Sequence, residues 1–259
     1  MSAADPSATP GHVETSPKRV RVVFSDLTVA DSRRARLVWE NPYWGEYYFP
    51  RADIADVLIA SDRTWTHPLL GSASFFTVRV GDRVAPDAAW GFPRSPVEEI
   101  RDLIRFDWAA MDHWYEELEE VFVDPRNPYA RIDVLESDRR VQVEIDGVEV
   151  ADSRRSKFLF ETRVPTRYYL PHDDVRTDLL VPSAKTSRCP YKGIATYHGV
   201  RIDGVDHLDI VWTYLSPLPE AVKVAGHLCF YNEKVDIRVD GVRRPRPVRP
   251  VIEGRLPRG

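Results

Sequence analysis

Cys189 and Lys192 stand three residues apart in the segment Thr186-Ser187-Arg188-Cys189-Pro190-Tyr191-Lys192-Gly193. A thiol reacts as its thiolate, and a neighbouring ammonium favours that form. The pair therefore offers a nucleophile with an electrostatic partner; the plainer reading is a small buried thiol beside a lysine that pairs with an acid. Glu161 ends the apolar run Phe158-Leu159-Phe160. On the inner face of a barrel, burial would raise its pKa and suit it to proton transfer. Its structural alternative is pairing with an arginine such as Arg154. His227 is a further acid/base candidate. Tyr169, Tyr197, Trp212 and Tyr214, with Arg154 and His198, supply the stacking faces and polar handles that a pocket for a flat or apolar small molecule needs.

These residues sit in the second of two copies. Val29-Ala30-Asp31-Ser32-Arg33-Arg34 returns as Val150-Ala151-Asp152-Ser153-Arg154-Arg155, and Tyr47-Tyr48-Phe49-Pro50 returns as Tyr168-Tyr169-Leu170-Pro171. Trp90 returns as Trp212 after one inserted residue. Around the candidate centre the Thr, Pro and Gly frame persists while the reactive positions do not: His67 faces Cys189 and Leu70 faces Lys192. Glu40 aligns with Glu161, which favours a structural role for Glu40. The first copy therefore reads as a degenerate site and the second as the working one. Copying Leu70 and His67 into positions 192 and 189 is expected to change stability little.

The elements that position these residues are mostly strands. Val141, Val143 and Ile145 alternate with polar residues before Asp146-Gly147, a type I′ hairpin signal repeated at Asp203-Gly204 and Asp240-Gly241. Val97 to Leu118 contains no Gly or Pro, and Ile100, Leu103, Ile104, Trp108, Met111 and Tyr115 recur at helical spacing, which predicts a helix. Glu116 to Glu120 would form its solvated continuation, and Pro219 to Val222 opens a shorter counterpart ended by Gly226. The expected architecture is mainly β: two tandem antiparallel modules, barrel-like, each with a short helix, packed as an intramolecular pseudo-dimer. Residues 1–18 read as a flexible leader, 19–123 and 132–241 as the modules, 124–131 as the linker, and 242–259 as a basic Pro/Arg tail.

Bulk composition bounds the function. A chain of 259 residues with 43% hydrophobic residues can build two cores. A net charge of −4 gives no general pull towards nucleic acid or anionic membrane, and no run approaches the ~18 apolar residues of a span. Two cysteines make no disulfide framework, no C-x-x-C pair suggests zinc, and no secretory apolar segment opens the chain. The expectation is a cytoplasmic protein with reduced thiols, no metal and no cofactor, monomeric or a weak homodimer, whose partner is a small molecule.

The motifs Tyr168-Tyr169-Leu170-Pro171, Thr186 with Cys189 to Gly193, Trp212-Thr213-Tyr214, Pro217-Leu218-Pro219-Glu220, Gly226-His227 and Phe230-Tyr231 resemble domain-of-unknown-function family 427. The likeness spans both copies, roughly Lys18 to Gly241, and is similar to a tandem subtype found in bacteria. It implies a compact β fold of the β-tent type and no established activity. His198 stands where such domains commonly carry Trp, which implies a different ligand. A nucleotidyltransferase label attached to the family finds no support, since no Gly-rich loop precedes a helix and Asp206 with Asp209 flank a hairpin turn. Two functions stay open: an enzyme using Cys189, Lys192 and Glu161 or His227, and a non-catalytic binding module whose aromatics form a cage.

Overall fold

The computed structural model describes residue 9 and residues 11–248, and the chain divides after Pro128 into two units. The first unit contains β1 (Val13–Thr15), β2 (Val20–Phe24), β3 (Leu27–Ser32), β4 (Arg36–Val38), β5 (Glu46–Pro50), β6 (Leu58–His67), β7 (Gly71–Val80), β8 (Arg83–Gly91), β9 (Leu103–Phe106), β10 (His113–Glu116) and β11 (Glu119–Val121). They form a seven-stranded sheet, β1-β4-β5-β9-β8-β7-β6, and a four-stranded sheet, β11-β10-β2-β3. The second unit contains β12 (Ile132–Glu136), β13 (Val141–Ile145), β14 (Val148–Ser153), β15 (Lys157–Glu161), β16 (Val164–Leu170), β17 (Leu180–Cys189), β18 (Gly193–Ile202), β19 (Val205–Tyr214), β20 (Leu228–Phe230), β21 (Asp236–Val239) and β22 (Val242–Arg243). Its sheets, β12-β15-β16-β20-β19-β18-β17 and β14-β13-β21-β22, repeat the first unit's order strand for strand. Every strand pair is antiparallel. The sheets are open and do not close into barrels.

Side-chain alternation gives the second unit's large sheet two buried faces. One packs on the small sheet: Val141, Val143, Ile237 and Val239 meet Phe158, Tyr168, Leu170, Val211 and Phe230. The other gathers Leu159, Tyr169, Ala195, Tyr197, Trp212, Tyr214 and Cys229 with Val134 of β12 and Ala221 and Val224 of a 3₁₀ turn, Pro219–Val224. That turn lies against β12, where Lys223 Nζ donates to the Val134 carbonyl at 3.3 Å. Val141 to Ile145 pairs with Val148 to Ser153 across Asp146 and Gly147, both at positive φ, as the hairpin signal requires. In the first unit, Gly91 marks the close approach of β9: a Cβ there would sit 2.5 Å from the Leu103 carbonyl oxygen.

The helix expected over Val97 to Leu118 is absent. That stretch holds a 3₁₀ turn (Glu98–Ile100), β9, a second 3₁₀ turn (Trp108–Ala110) and β10. Leu103, Ile104, Arg105 and Phe106 are all buried because both faces of this strand are covered. A doubly covered strand loses its period-2 pattern, so its apolar residues fall by accident at helical spacing. The acidic run after it is a tight hairpin with Glu117 at φ 53°, and Glu116 is held by Lys18 and the Tyr47 hydroxyl rather than by solvent. The short turn at Pro219 and the positive φ of Gly226 match their expectations.

The segment expected to be a leader contributes β1, paired with β4. In the expected basic tail, Arg243 and Arg246 are tied to Asp236; residues 249–259 lie outside the described residues. No helix among the described residues is long and apolar enough to cross a membrane.

Candidate functional site

The second unit's site is assembled on the face of the large sheet turned away from the small sheet. Glu161 ends β15, and Lys192 lies in the turn joining β17 to β18. Lys192 Nζ donates to Glu161 Oε2 at 2.5 Å, with each side chain only 12% exposed. An ion pair so far removed from water holds together because each charge is the other's solvent, and deleting one partner strands the other. Glu161 therefore pairs with Lys192 rather than with an arginine.

The same sheet carries a cluster of buried aromatic side chains. Tyr169, between the inward-facing Tyr168 and Leu170, points to the site face and accepts from Trp212 Nε1 at 3.1 Å, the rings edge-on at 6.2 Å. Tyr197 OH lies 2.8 Å from Ser187 Oγ and 3.3 Å from Tyr231 OH, and the Tyr231 ring sits 4.6 Å from Trp212. Burial pushes the Tyr169 and Tyr214 hydroxyls well above the ordinary phenol value. For Tyr214 burial is the largest cause, and the fields of Cys189, Tyr197 and Glu161 act in the same direction. At neutral pH these phenols are protonated hydrogen-bonding groups, not bases.

Cys189 is half-buried and opposes Gly193 across the turn that carries Lys192. Cys229 lies fully buried opposite Trp212, and burial raises its thiol pKa far enough to make it inert.

Three candidates make no contact with the Lys192–Glu161 pair among the described residues. His198 pairs with Val211, which packs in the core between the sheets, so alternation turns His198 away from Tyr197 and Trp212. Burial and nearby His172 lower its pKa. The His227 ring hydrogen-bonds the carbonyl of Ala225 in its own loop at 3.1 Å. Arg154 stands at the opposite end of β15 from Glu161, exposed in a depression with Arg140, Asp152, Arg155 and Asp174.

Other members of the site were not among the expected residues. Arg167 forms a bidentate pair with Glu233 at 2.7 and 2.8 Å, and its guanidinium lies 5.6 Å from the Trp212 ring centre. Lys185 Nζ sits 4.7 Å over the Tyr197 ring. The signal for Arg167 was its alternation with Tyr169, and the inversion of charge at its counterpart in the first copy, Glu46.

The first unit has a rebuilt site, not an empty one. Glu40, in the position of Glu161, accepts from the Tyr48 hydroxyl and from Arg105, both at 2.5 Å. Arg105 also meets Glu46 at 3.1 Å, and its guanidinium lies 4.5 Å from the Trp90 ring centre. Register fixes the equivalence: Trp90 opposes Arg105 as Trp212 opposes Cys229. Ile104 accordingly matches Leu228, since they oppose Phe49 and Leu170, which are themselves equivalent. Burial raises the Glu46 pKa to about 7 despite Arg105. Leu70 takes the place of Lys192 and is fully buried. His67, in the place of Cys189, caps its turn: Nδ1 accepts from the backbone N–H of Leu69 and Leu70 at 3.1 and 3.2 Å.

No curated protein matches this chain. A family model described as a domain of unknown function, DUF427, matches residues 12–117 and again residues 133–241, one match on each sheet pair just described. The chain belongs to the DUF427 family and carries its domain twice in tandem.

Proposed function

We propose that the second unit is a small-molecule-binding module whose site is the Lys192–Glu161 pair and the aromatic face beside it. The observation that carries this reading is the Lys192–Glu161 ion pair, 12% exposed on each side, on the sheet that carries the aromatic cluster of Tyr169, Tyr197, Trp212 and Tyr214. Aromatic planes bury a flat ligand, and a few fixed polar groups orient it. Lys192 Nζ, donating to Glu161, is suited to orient a carbonyl or carboxylate and not to attack one.

A second reading is catalytic, and the partly exposed free thiol of Cys189, opposite Gly193 across the turn that carries Lys192, favours it. Cys189 would then act as nucleophile or thiol anchor, with Lys192 holding its thiolate. Both cysteines are free thiols, which suits the cytoplasm as the protein's compartment.

The test is a thermal-shift screen of flat carbonyl- and carboxylate-bearing fragments against the full chain, repeated with Trp212→Phe and Lys192→Arg. Ligands whose binding weakens in both variants support the module. If no ligand depends on either residue, the reading fails.

A further inference from the structure

The repeat that identifies the two copies contains an arginine the fold does not use. In both units the segment Val-Ala-Asp-Ser-Arg-Arg crosses from the small sheet to the large one, and most of it has a structural task. Asp152 holds Arg140 at 2.5 Å as Asp31 holds Arg19. Ser153 donates to Asp174 at 2.6 Å and caps the Arg155 N–H at 3.0 Å, as Ser32 does with Asp53 and Arg34 at 2.6 and 2.9 Å. The second arginine of each copy pairs with that aspartate. The first arginine, Arg33 or Arg154, is exposed in both copies and makes no hydrogen bond or ion pair among the described residues. A surface side chain without a structural task drifts; this one is the same in both copies.

Around Arg154 the surface is shaped. Arg140, Asp152, Arg154, Arg155 and Asp174 line an open depression of about 520 Å³. Its two carboxylates are already engaged: Asp152 by both edges of Arg140, Asp174 by Arg155 and Ser153. Those pairings hold both aspartates below the usual carboxylate range. Arg140 keeps Nη1 free of Asp152, Arg155 keeps Nε and Nη1 free of Asp174, and all of Arg154 is free. Of the acids whose fields reach these arginines, Asp240 is paired with Arg139 at 2.7 Å, and Asp173 acts on Arg155.

We propose that this depression binds the phosphate group of a small molecule. Planar guanidinium forks converging from three arginines match a tetrahedral dianion, and the charge-assisted hydrogen bonds they would form are the strong kind. The lining carries three guanidiniums against two carboxylates, a surplus of one positive charge, so an anion is the occupant its charge favours. The site lies at the far end of β15 from Glu161 and is independent of the binding module proposed above.

The experiment follows the arginine Nε–H resonances of the full chain during titration with inorganic phosphate, phenyl phosphate and sulfate. Arg140, Arg154 and Arg155 should shift together and saturate with either phosphate, more weakly with sulfate. Tighter phenyl phosphate binding assigns the site to a phosphate ester, and equal binding assigns it to free phosphate. Arg154→Gln, an exposed substitution that leaves the Asp152 and Asp174 pairs intact, should weaken the titration by about tenfold or more. Failure of the three resonances to saturate, or an unchanged titration in Arg154→Gln, overturns the proposal.

Discussion

Lys192 and Arg105 neutralise the same carboxylate position from different elements, a turn and a strand. In the second unit the cation for Glu161 comes from the β17–β18 turn; in the first, the cation for Glu40 comes from β9. Each unit fills the other's cation position with a group that needs no partner, Leu70 in one and the buried thiol Cys229 in the other. The buried acid is the constant, and the cation is what moved.

That relationship overturns the expectation that Leu can replace Lys192 at little cost. Lys192→Leu strands the Glu161 carboxylate, because position 229 holds no arginine, and should cost about 3–5 kcal/mol by chemical denaturation. Glu161→Gln in the Lys192→Met background removes both charges and should recover most of that loss. Equal stability of Lys192→Leu and the native chain would show that the pair is unimportant to the fold.

Glu46 makes the first unit pH-sensitive. Its pKa in the folded state, about 7, lies above its ordinary value of 4.5, so the native state holds a proton that the unfolded chain has released between those values. Its contribution is fully present below pH 4.5 and is lost as pH rises through 7, on the order of 3 kcal/mol in all. Glu46→Gln should flatten stability between about pH 5 and about pH 8. The paired aspartates Asp31, Asp112 and Asp152 shift the other way, so their contributions are lost only as pH falls below the ordinary carboxylate value. The two windows do not overlap.

The thiols should separate cleanly under alkylation. Cys189, half-exposed, should react with iodoacetamide in the native protein, and mass spectrometry should find Cys229 unmodified until denaturant is added. A Cys189 rate far above that of a free thiol near neutral pH supports the catalytic reading. A rate no greater than that of a free thiol leaves the binding module alone.

Tyr169→Phe takes the acceptor from Trp212 Nε1 and should destabilise by about 1–3 kcal/mol, with a change in Trp212 emission. Tyr48→Phe does not repeat this effect, since the Tyr48 hydroxyl serves Glu40 and Trp90 Nε1 has no hydrogen-bond partner in the native structure. What it removes is one of the donors holding Glu40.

The sequence made the duplication, the hairpins and the aromatic face legible for local reasons. Asp-Gly pairs demand particular turn geometry, and alternation sorts Tyr168 from Tyr169 without knowledge of distant strands. Lys192 and Glu161 were singled out individually, but their pairing depends on how the β17–β18 turn meets the end of β15. Arg105 was hidden more thoroughly. Set among Leu103, Ile104 and Phe106, it reads as the polar face of a helix, and only the pairing of β9 with β8 shows it opposite Trp90. Leu70 then looked like a lost function because its missing cation had been resupplied from a segment assigned to the wrong kind of element.

The persistence of Glu40 and Glu161 also restricts the history of the two copies. A buried carboxylate left alone for even one substitution costs enough to unfold a marginal domain. Exchanging one arrangement for the other by single substitutions therefore costs least when the incoming cation is added before the outgoing one is removed. Glu46, which shares Arg105 in the first unit, is a second acid that a doubly charged form would accommodate.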